Sequence, residues 1–401
     1  MPESPGVDVL VVGGGVIGLA VAWRARLAGM SVTVLERGVI GSGTSHVAAG
    51  MLAPVAEVEF GAGGRRVLEL GLRSVAMWPG FALELETCTG VSVGLMRTGT
   101  LLLARDEDDA RELERQLEFR RALGLAVRRL RPSEARELEP ALLPALRLAL
   151  EAPADHSLDP RLALAALARA CASAGVRVRA HAPVARVALD DTRARVIGVC
   201  LEDGERVAAG QVVVAAGPWS GQLGGLPDGA GVPVRPVKGQ SVRLRDPAGP
   251  GLLTRVLRFR GGYLVPREDG GYVLGATVEE RGFELAPTAG AAYELLRDAH
   301  ELVPGISELE IEELSVGLRP GTPDNAPVIG AGAIEGLVWA TGHYRNGILL
   351  APLTAELLAG VLAGAVTGEA PDAQLLAACA PERFTAAGAS SRLGAAAEAL
   401  A

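Results

Sequence analysis

A glycine-rich turn near the start of the sequence most constrains how this chain folds. The apolar run 9–12 ends at a GxGxxG pattern whose glycines are Gly13, Gly15 and Gly18, and an Ala-rich apolar stretch follows. A second apolar run then ends in Glu36. Gly13 permits a tight turn, Gly15 lets a pyrophosphate approach the backbone, and Gly18 lets a helix pack closely on a strand. A structural turn is the alternative, but the flanking elements favour a dinucleotide site in which Glu36 binds ribose hydroxyls.

The composition is that of a globular protein with room for two domains. The chain has 401 residues, of which 49% are hydrophobic, and such a length can bury two sizeable cores. Its formal net charge of −8 gives no general attraction to nucleic acid or to an anionic membrane. We therefore expect neither as a partner.

The cysteines indicate a reducing compartment. Cys88, Cys171, Cys200 and Cys379 lie far apart and form no CxxC pair. In so long a chain they are typical of buried reduced thiols rather than a disulfide framework, and the cytoplasm is the expected location. No HExxH motif or carboxylate cluster is present, so no metal is expected.

Two apolar stretches could be mistaken for membrane segments. Residues 7–23 are preceded by acidic residues and no basic residue, and they contain the glycine turn, which argues against a signal peptide. Residues 347–366 contain Glu356 and lack flanking anchors. We predict that they form a buried helix.

Basic residues are strongly biased toward arginine. Of 39 basic residues, only Lys238 is a lysine. Lys238 either occupies a place where a planar guanidinium does not fit, or it survived by chance. Both interpretations stay open from the sequence.

The hydrophobic pattern predicts an α/β chain, α+β overall, with two interleaved domains. The apolar strand at 211–214 ends in small residues, which is typical of a parallel sheet, whereas 232–277 alternates as in an antiparallel sheet. Helices are predicted at 64–90, 106–124, 160–173 and 291–302, and other strands at 100–103, 176–179, 185–187, 196–201, 241–245, 263–266, 272–276, 310–316 and 337–342.

The predicted domains are discontinuous. Residues 1–60, 145–225 and 320–378 form a Rossmann-type dinucleotide domain, residues 61–144 and 226–319 form an antiparallel-sheet substrate domain, and residues 379–401 form a C-terminal tail.

Six further motifs follow the glycine turn along the chain. They are Ala48-Ala49-Gly50-Met51, Ala215-Ala216-Gly217-Pro218-Trp219-Ser220, Pro236-Val237-Lys238-Gly239-Gln240, Tyr263-Leu264-Val265-Pro266-Arg267, Gly317-Leu318-Arg319-Pro320-Gly321-Thr322 and Gly342-His343-Tyr344-Arg345-Asn346-Gly347-Ile348-Leu349. Together these motifs resemble the D-amino-acid oxidase family of FAD-dependent amine oxidases, and within it the glycine oxidases of the thiamin-thiazole pathway. The resemblance covers nearly the whole chain and implies FAD as the cofactor.

The family pattern also assigns cofactor residues by position. It places the FAD phosphates over Val16 and Ile17 and the adenosine ribose near Glu36 and Arg37. It assigns Thr44, Ser45, Ala49, Gly50 and Met51 to the flavin side, Val184 to the adenine side, and His343, Tyr344, Arg345, Asn346, Gly347, Ile348 and Leu349 to the segment along the flavin.

Substrate contacts are implied at Arg319, Arg345 and Tyr263. Gly261 and Val278 stand where well-known glycine oxidases carry a His and a Met, which leaves the size of the pocket open. Relatives with covalent flavin carry a cysteine near the position of Arg319. None stands there in this chain, so the resemblance implies non-covalent FAD.

The chemistry of these side chains suits an amino acid substrate. The planar fork of Arg319 can bind a carboxylate in a bidentate manner, although a structural arginine is the alternative. Tyr263 can donate its hydroxyl to the same carboxylate or simply pack. The N-terminus of a helix beginning near Asn346 would stabilise negative charge on reduced flavin. For His343 we expect a packed ring without an acid–base role.

The sequence therefore predicts an FAD-dependent oxidase of glycine or another small amine, such as sarcosine or a D-amino acid. The expected products are an imine, then an oxo acid and ammonia, with O2 reduced to hydrogen peroxide, and the expected role is in thiamin thiazole synthesis. A D-amino-acid dehydrogenase with a quinone acceptor, a non-catalytic flavin-binding assembly protein and an NAD-dependent dehydrogenase are the alternatives. The expected partners are the small-molecule amine and O2, and a homo-oligomer is compatible with the sequence.

Overall fold

The structure is a computed structural model that describes residues 6–365 and 371–384. Two compact units divide the chain. Unit 1 comprises Met1–Ser45, Leu164–Pro236 and Arg319–Ala401, and unit 2 comprises His46–Ala163 and Val237–Leu318. Of the predicted C-terminal tail, residues 385–401 lie outside the described residues, while Cys379 ends a helix and Pro381–Phe384 form a 3-10 turn.

The strands are distributed over the whole described chain. They are β1 Val7–Val12, β2 Val32–Leu35, β3 Met51–Leu52, β4 Thr100–Ala104, β5 Arg128–Leu130, β6 Leu148–Ala152, β7 His156–Ser157, β8 Arg177–Arg179, β9 Val184–Leu189, β10 Val196–Leu201, β11 Arg206–Val214, β12 Arg235–Arg245, β13 Val256–Phe259, β14 Gly262–Pro266, β15 Gly271–Gly275, β16 Glu310–Gly321, β17 Val328–Ala331 and β18 Leu337–Thr341.

The α-helices vary from a single turn to eight turns. They are α1 Val16–Leu27, α2 Thr44–Val47, α3 Ala62–Thr89, α4 Glu107–Ala122, α5 Pro132–Leu138, α6 Pro160–Ala174, α7 Ala289–His300, α8 Gly347–Leu362 and α9 Pro371–Cys379, and Gly217–Gln222 and Pro304–Glu308 form further 3-10 turns.

Unit 1 is built on a parallel sheet. The strand order is β17-β18-β11-β1-β2-β8, in which β8, β2, β1, β11 and β18 run parallel and β17 is antiparallel to β18. Val9 pairs with Val32 on one side and Gln211 on the other. Continuous apolar runs form β1 and β11 because strands inside a parallel sheet are covered on both faces. The predicted parallel sheet and Rossmann-type fold are confirmed.

Helices α1 and α8 pack against each other in unit 1. Most side chains of α8 are buried, so the prediction of a buried helix is confirmed for residues 347–362, whereas residue 366 lies outside the described residues. None of the helices that the structure describes is long and apolar enough to cross a membrane.

Unit 2 contains a larger mixed sheet with the order β16-β12-β15-β14-β13-β4-β6-β5. The neighbours from β12 to β13 are antiparallel, as are β4, β6 and β5, whereas β13 runs parallel to β4. The predicted antiparallel sheet is thus confirmed from β12 to β13 and among β4, β6 and β5, whereas the parallel β13–β4 pairing was not predicted. Alternation of apolar residues predicts which face a strand buries, but it does not predict the direction of a distant neighbour.

Local chemistry explains why helix α4 begins where the sequence predicted it. Asp106 is its N-cap and accepts a hydrogen bond from the Asp109 N–H at 2.8 Å. Acidic residues fill the first turn and basic residues the last turn, which matches the helix dipole. The patterns did not predict α2, α5, α9, β3, β5, β6, β7, β13 or β17, which are short elements.

One expectation about the cysteines is wrong. Cys171, Cys200 and Cys379 are buried free thiols as expected, but Cys88 is exposed. Cys88 lies in the last turn of α3, on the side of the helix that faces solvent. Cysteine spacing carries no information on which face of an amphipathic helix a thiol occupies.

Candidate active site

The glycine turn between β1 and α1 has no room for side chains. Gly13 has φ +111°, which favours glycine, and a Cβ there would overlap the carbonyl of Ala215. A Cβ on Gly18 would overlap the Gly13 carbonyl, so α1 can approach β1 only with glycine at this position. These are the two roles that the sequence predicted for them.

The N-terminus of α1 suits an anionic group. Gly15 is its N-cap, and no acidic residue occupies the first turn. The Val16 N–H donates to Ser45 Oγ at 3.2 Å, which places the predicted residues Val16, Ile17 and Ser45 around this helix end. Backbone N–H groups and the helix dipole attract phosphate at such a site.

Glu36 is held beside the glycine turn. Its carboxylate accepts hydrogen bonds from the N–H of Gly14 at 2.7 Å and of Gly38 at 2.9 Å. A carboxylate has about four acceptor positions, so Glu36 can still accept ribose hydroxyls. The neighbouring Arg37 stacks on Trp219, with its guanidinium carbon 3.3 Å from the ring centroid.

Two predicted substrate arginines lie on adjacent backbone segments of unit 1. Arg319 is near the end of β16 and Arg345 immediately precedes α8. The Tyr344 N–H donates to the Pro320 carbonyl at 3.0 Å, which joins the two segments. Both arginines are half-buried, and Tyr344 has a positive φ of 47°.

His343 is a packed neutral side chain. It is buried, and its Nε2 lies 3.0 Å from the hydroxyl of Thr354. Burial lowers the pKa of His343 to about 3. The ring is therefore uncharged near neutral pH, and the absence of an acid–base role stays a prediction.

The N-terminus of α8 is open to a ligand. Asn346 is the N-cap but its side chain does not cap the helix, and the first turn contains no acidic residue. Residues 344–347 are only half-buried. The partial positive charge of this helix end is therefore not neutralised by a capping carboxylate.

In unit 2, three of the predicted residues share one apolar cluster. Ala49, Met51 and Tyr263 pack together with Val256, Val265 and Val273. Tyr263 lies opposite Gly275 in the β14–β15 pair, and a Cβ on Gly275 would be 2.6 Å from the Tyr263 hydroxyl oxygen. Glycine at position 275 thus lets the tyrosine side chain lie flat across the strand.

Gly50 is fixed by its neighbours on both sides. It has φ +79°, and a Cβ there would overlap the Leu158 carbonyl. The Leu158 N–H donates to the Gly50 carbonyl at 2.9 Å, next to the β3–β7 pairing. Gly50 is therefore required by both its φ angle and the space available.

Three arginines that hold this segment have no functional role predicted from the sequence. Arg161 and Arg243 donate to the His46 carbonyl, and Arg267 donates to the Ala49 carbonyl. Of the three, only Arg267 belongs to one of the family motifs. In a chain where nearly every basic residue is arginine, no local signal separates these three from solvated side chains.

Gly261 and Val278, which the resemblance marks as departures, both lie at the surface of unit 2. Gly261 lies in the turn between β13 and β14, and Val278 follows β15 with 54% of its area exposed. Within the described residues, no group of three or more His, Cys, Asp and Glu side chains could hold a metal ion.

Comparison with known proteins agrees with this geometry. Residues 8–361 match the family described as FAD dependent oxidoreductase, DAO. The chain belongs to this family. FAD is therefore the cofactor of this oxidoreductase.

Individual relatives extend over most of this FAD-dependent oxidoreductase. A glycine oxidase of Geobacillus kaustophilus is 39% identical over 358 residues, covering 88% of this chain and 92% of the relative. A bifunctional protein ThiO/ThiG of Synechocystis is 35% identical, covering 94% of this chain and 54% of that protein. The crystal structure of glycine oxidase from Geobacillus kaustophilus superposes with a TM-score of 0.86 at 36% identity, covering 95% and 100% of the two chains.

The residues of the glycine turn fit the phosphates of FAD. A cradle that excludes any Cβ, a helix N-terminus without acidic side chains, and a carboxylate with unused acceptor positions stand next to one another in unit 1. These features suit a pyrophosphate and a ribose. The individual contacts of Arg37, Thr44, Val184 and residues 343–349 with FAD stay predictions.

Proposed function

We propose that this FAD-dependent oxidoreductase oxidises glycine to its imine, which hydrolyses to an oxo acid and ammonia. The observation that carries the proposal is the similarity to a glycine oxidase along 88% of the chain. The similarity to a bifunctional protein ThiO/ThiG supports a role in forming the thiazole of thiamin. Neither the quinone-dependent dehydrogenase nor the non-catalytic flavin protein is favoured by these relatives.

Arg319 is our candidate for binding the substrate carboxylate. Its guanidinium stays charged at any working pH and offers two parallel donors to a carboxylate. The Tyr344 N–H donates to the Pro320 carbonyl at the end of the strand that carries Arg319, so the backbone next to Arg319 is held in place. Arg345, on the adjoining segment, is the second candidate.

Bound FAD would supply a two-electron acceptor for the oxidation of the substrate, and O2 would take up these electrons to give hydrogen peroxide. The chain's task is then mainly to position the substrate. The N-terminus of α8 supplies partial positive charge where negative charge develops, and no acidic residue in its first turn opposes it. Burial lowers the pKa of His343 far below neutrality, so its ring is a poor proton acceptor and we do not propose it as an acid–base residue.

Several finer features belong to the same proposal. Tyr263 is proposed as a further substrate residue, and FAD is proposed to be held non-covalently because no cysteine stands near Arg319. We propose a cytoplasmic location, which suits four free cysteines. The domain assignment given by the sequence is retained as a proposal.

The deciding experiment is an anaerobic titration of the purified yellow protein with glycine. We expect the visible flavin band to bleach, and admission of air to restore it with formation of hydrogen peroxide. Bleaching by sarcosine and by D-alanine is compared with bleaching by glycine to rank the alternative substrates. Methylamine, which lacks a carboxylate, is the control. A flavin that glycine does not bleach would refute the proposed substrate.

The same sample distinguishes the alternatives. A quinone-dependent dehydrogenase would bleach with substrate but recover with a dye and not with air. A non-catalytic flavin protein would bleach with none of the amines. Acid precipitation tests the attachment of FAD, since non-covalent flavin stays in the supernatant and leaves a colourless polypeptide.

A further inference from the structure

Arg267 is a buried arginine that donates to the backbone of the proposed flavin segment. It follows β14 directly and is only 7% exposed. Its Nη2 donates to the Ala49 carbonyl at 2.5 Å and its Nη1 to the Pro266 carbonyl at 3.3 Å. Its Nε lies 3.4 Å from Asp159 Oδ2. A buried charge is unfavourable unless it is paired, and Arg267 is paired through two carbonyl hydrogen bonds and the ion pair with Asp159, although its Nε donates no hydrogen bond.

The adjoining carbonyls point toward the interior of the same unit. The Arg243 Nη2 donates to the His46 carbonyl at 2.9 Å, and Arg161 reaches the same oxygen at 3.4 Å. The Leu158 N–H donates a hydrogen bond to the Gly50 carbonyl. The carbonyls of residues 46, 49 and 50 are thus all bound by groups of unit 2.

Peptide geometry then fixes the direction of an N–H group. The Ala49–Gly50 peptide is trans, so the Gly50 N–H points opposite to the Ala49 carbonyl. In the part of the chain that the structure describes, the Gly50 N–H has no hydrogen-bond partner, although Gly50 is buried. A buried N–H without a partner is rare in a folded protein and marks a place for a ligand acceptor.

We propose that Arg267 is a positioning residue for FAD: by holding the Ala49 carbonyl, it aims the Gly50 N–H at an acceptor atom of the flavin. This rests on the proposed assignment of Ala49, Gly50 and Met51 to the flavin side. Arg267 does not touch the cofactor. It fixes the one peptide orientation in which the segment presents a donor, so that binding FAD requires no rearrangement.

Lysine and methionine variants of Arg267 test the proposal, because neither can reproduce the two carbonyl hydrogen bonds of the guanidinium together with its ion pair. The matched control is Arg120→Lys. Arg120 is 1% exposed in the same unit and also donates to backbone carbonyls, those of Val55 and Ala56, outside the proposed cofactor residues. FAD affinity is measured on apoprotein by quenching of flavin fluorescence. Thermal unfolding of the apoproteins reports the structural effect of each change.

We expect Arg267→Lys to weaken FAD binding about tenfold or more relative to Arg120→Lys, the factor that corresponds to one charge-assisted hydrogen bond. Arg267→Met should weaken it further. The midpoint potential of the residual bound flavin should become more negative, because an N–H donor stabilises the electron-rich reduced form. Hydrogen exchange of residues 46–51 in the apoprotein should rise in the Arg267 variants alone.

Asp159→Asn provides a gentler variant if the Arg267 variants do not fold. It keeps the shape of the carboxyl but removes the charge that pairs with the Arg267 guanidinium, and we expect a smaller loss of FAD affinity in the same direction. Equal FAD affinity in the Arg267 and Arg120 variants, or an unchanged affinity in Asp159→Asn when the others do not fold, would overturn the proposal. The FAD-binding assays contain no glycine, so they do not depend on the proposed substrate. If wild-type protein binds FAD but is not bleached by glycine, the proposed substrate is refuted while the test of Arg267 stays valid.

Discussion

Asp155 and Arg120 bind the same two residues of backbone. The Asp155 carboxylate accepts from the N–H of Val55 at 3.1 Å and of Ala56 at 2.8 Å, while Arg120 donates to their carbonyls at 2.9 and 2.8 Å. Both side chains are buried in unit 2. Together they satisfy both peptide groups of a segment that belongs to no sheet or helix.

This arrangement predicts an unusual pH dependence. Burial raises the pKa of Asp155 from 3.8 to about 7, against the opposing effect of the two N–H donors. The folded state therefore binds the proton more tightly than the unfolded state. The contribution of Asp155 to stability is greatest below pH 4 and is lost as pH rises toward 7.

The comparison is wild type against Asp155→Asn in urea unfolding between pH 4 and 8. Relative to the variant, wild type should lose up to about 4 kcal/mol of unfolding free energy as pH rises from 4 to 7. The difference should be constant above pH 7. Parallel curves over the whole range would contradict the raised pKa.

His343 should act in the opposite direction. Burial lowers its pKa from 6.5 to about 3, so the folded state resists protonation and stability falls as pH drops below 6.5. Between pH 6.5 and 4.5 this loss should reach about 2 kcal/mol. His343→Gln, which can still bond to Thr354, should lack this part of the acid sensitivity. An equally steep acid limb in the variant would show that the loss arises elsewhere.

Arg319→Ala should remove about 3–5 kcal/mol of transition-state binding for glycine, the scale for breaking a buried hydrogen-bonded charge pair. FAD should remain bound. Arg319→Lys should recover only part of the loss, because an ammonium lacks the planar fork. The measurement is kcat/KM for glycine beside that for methylamine, whose slow oxidation should hardly change. If both amines are affected equally, or flavin is lost, the carboxylate must be sought at Arg345.

Lys238→Arg should destabilise the protein by about 1–3 kcal/mol, the usual effect of forcing extra volume into a packed site. Lys238 is 1% exposed, and its ammonium donates to the Ala286 carbonyl at 2.7 Å and lies 3.5 Å from Glu284 Oε1. A guanidinium is larger and planar at that position. Thermal unfolding, flavin content and turnover are measured together. Unchanged values in all three would support chance survival of this lysine.

Native protein should react with a thiol reagent at Cys88 alone, because the other three cysteines are buried and burial raises the pKa of Cys171 to about 12. Denatured protein should react at all four. Titration with a chromogenic disulfide before and after unfolding measures both numbers. Cys88→Ser should abolish the native reaction, and reaction of a second native thiol would refute the assignment.

Short-range patterns predicted the nucleotide-binding half of the fold well. The glycine turn, its helix and Glu36 all lie within a few elements of one another, so spacing alone determines their arrangement. The α8 helix was predicted because apolar residues fill all its faces. The parallel pairing of β4 with β13 was missed, because strands from separate parts of the chain carry no local mark of their partner.

The polar contacts that hold the candidate site also could not be predicted from the sequence. Arg267 and Ala49 are 218 positions apart, and Asp155 and Val55 are 100 apart. Such contacts produce neither the residue periodicity that marks a helix or strand nor a change in composition. An arginine that binds a carbonyl in the interior has the same surroundings in sequence as one in solvent.

The parallel sheet of unit 1 has a consequence for synthesis on the ribosome. Strand β1 emerges early, but its neighbour β11 begins only at Arg206. The next neighbour of β11 is β18, which begins only at Leu337. At about 5–20 residues per second, the first of these delays lasts about 10–40 s. During that interval one edge of an almost wholly apolar strand stays unpaired on the nascent chain. A ribosome-stalled chain that ends before Arg206 should therefore depend strongly on chaperones, whereas one that extends past Thr341 should not.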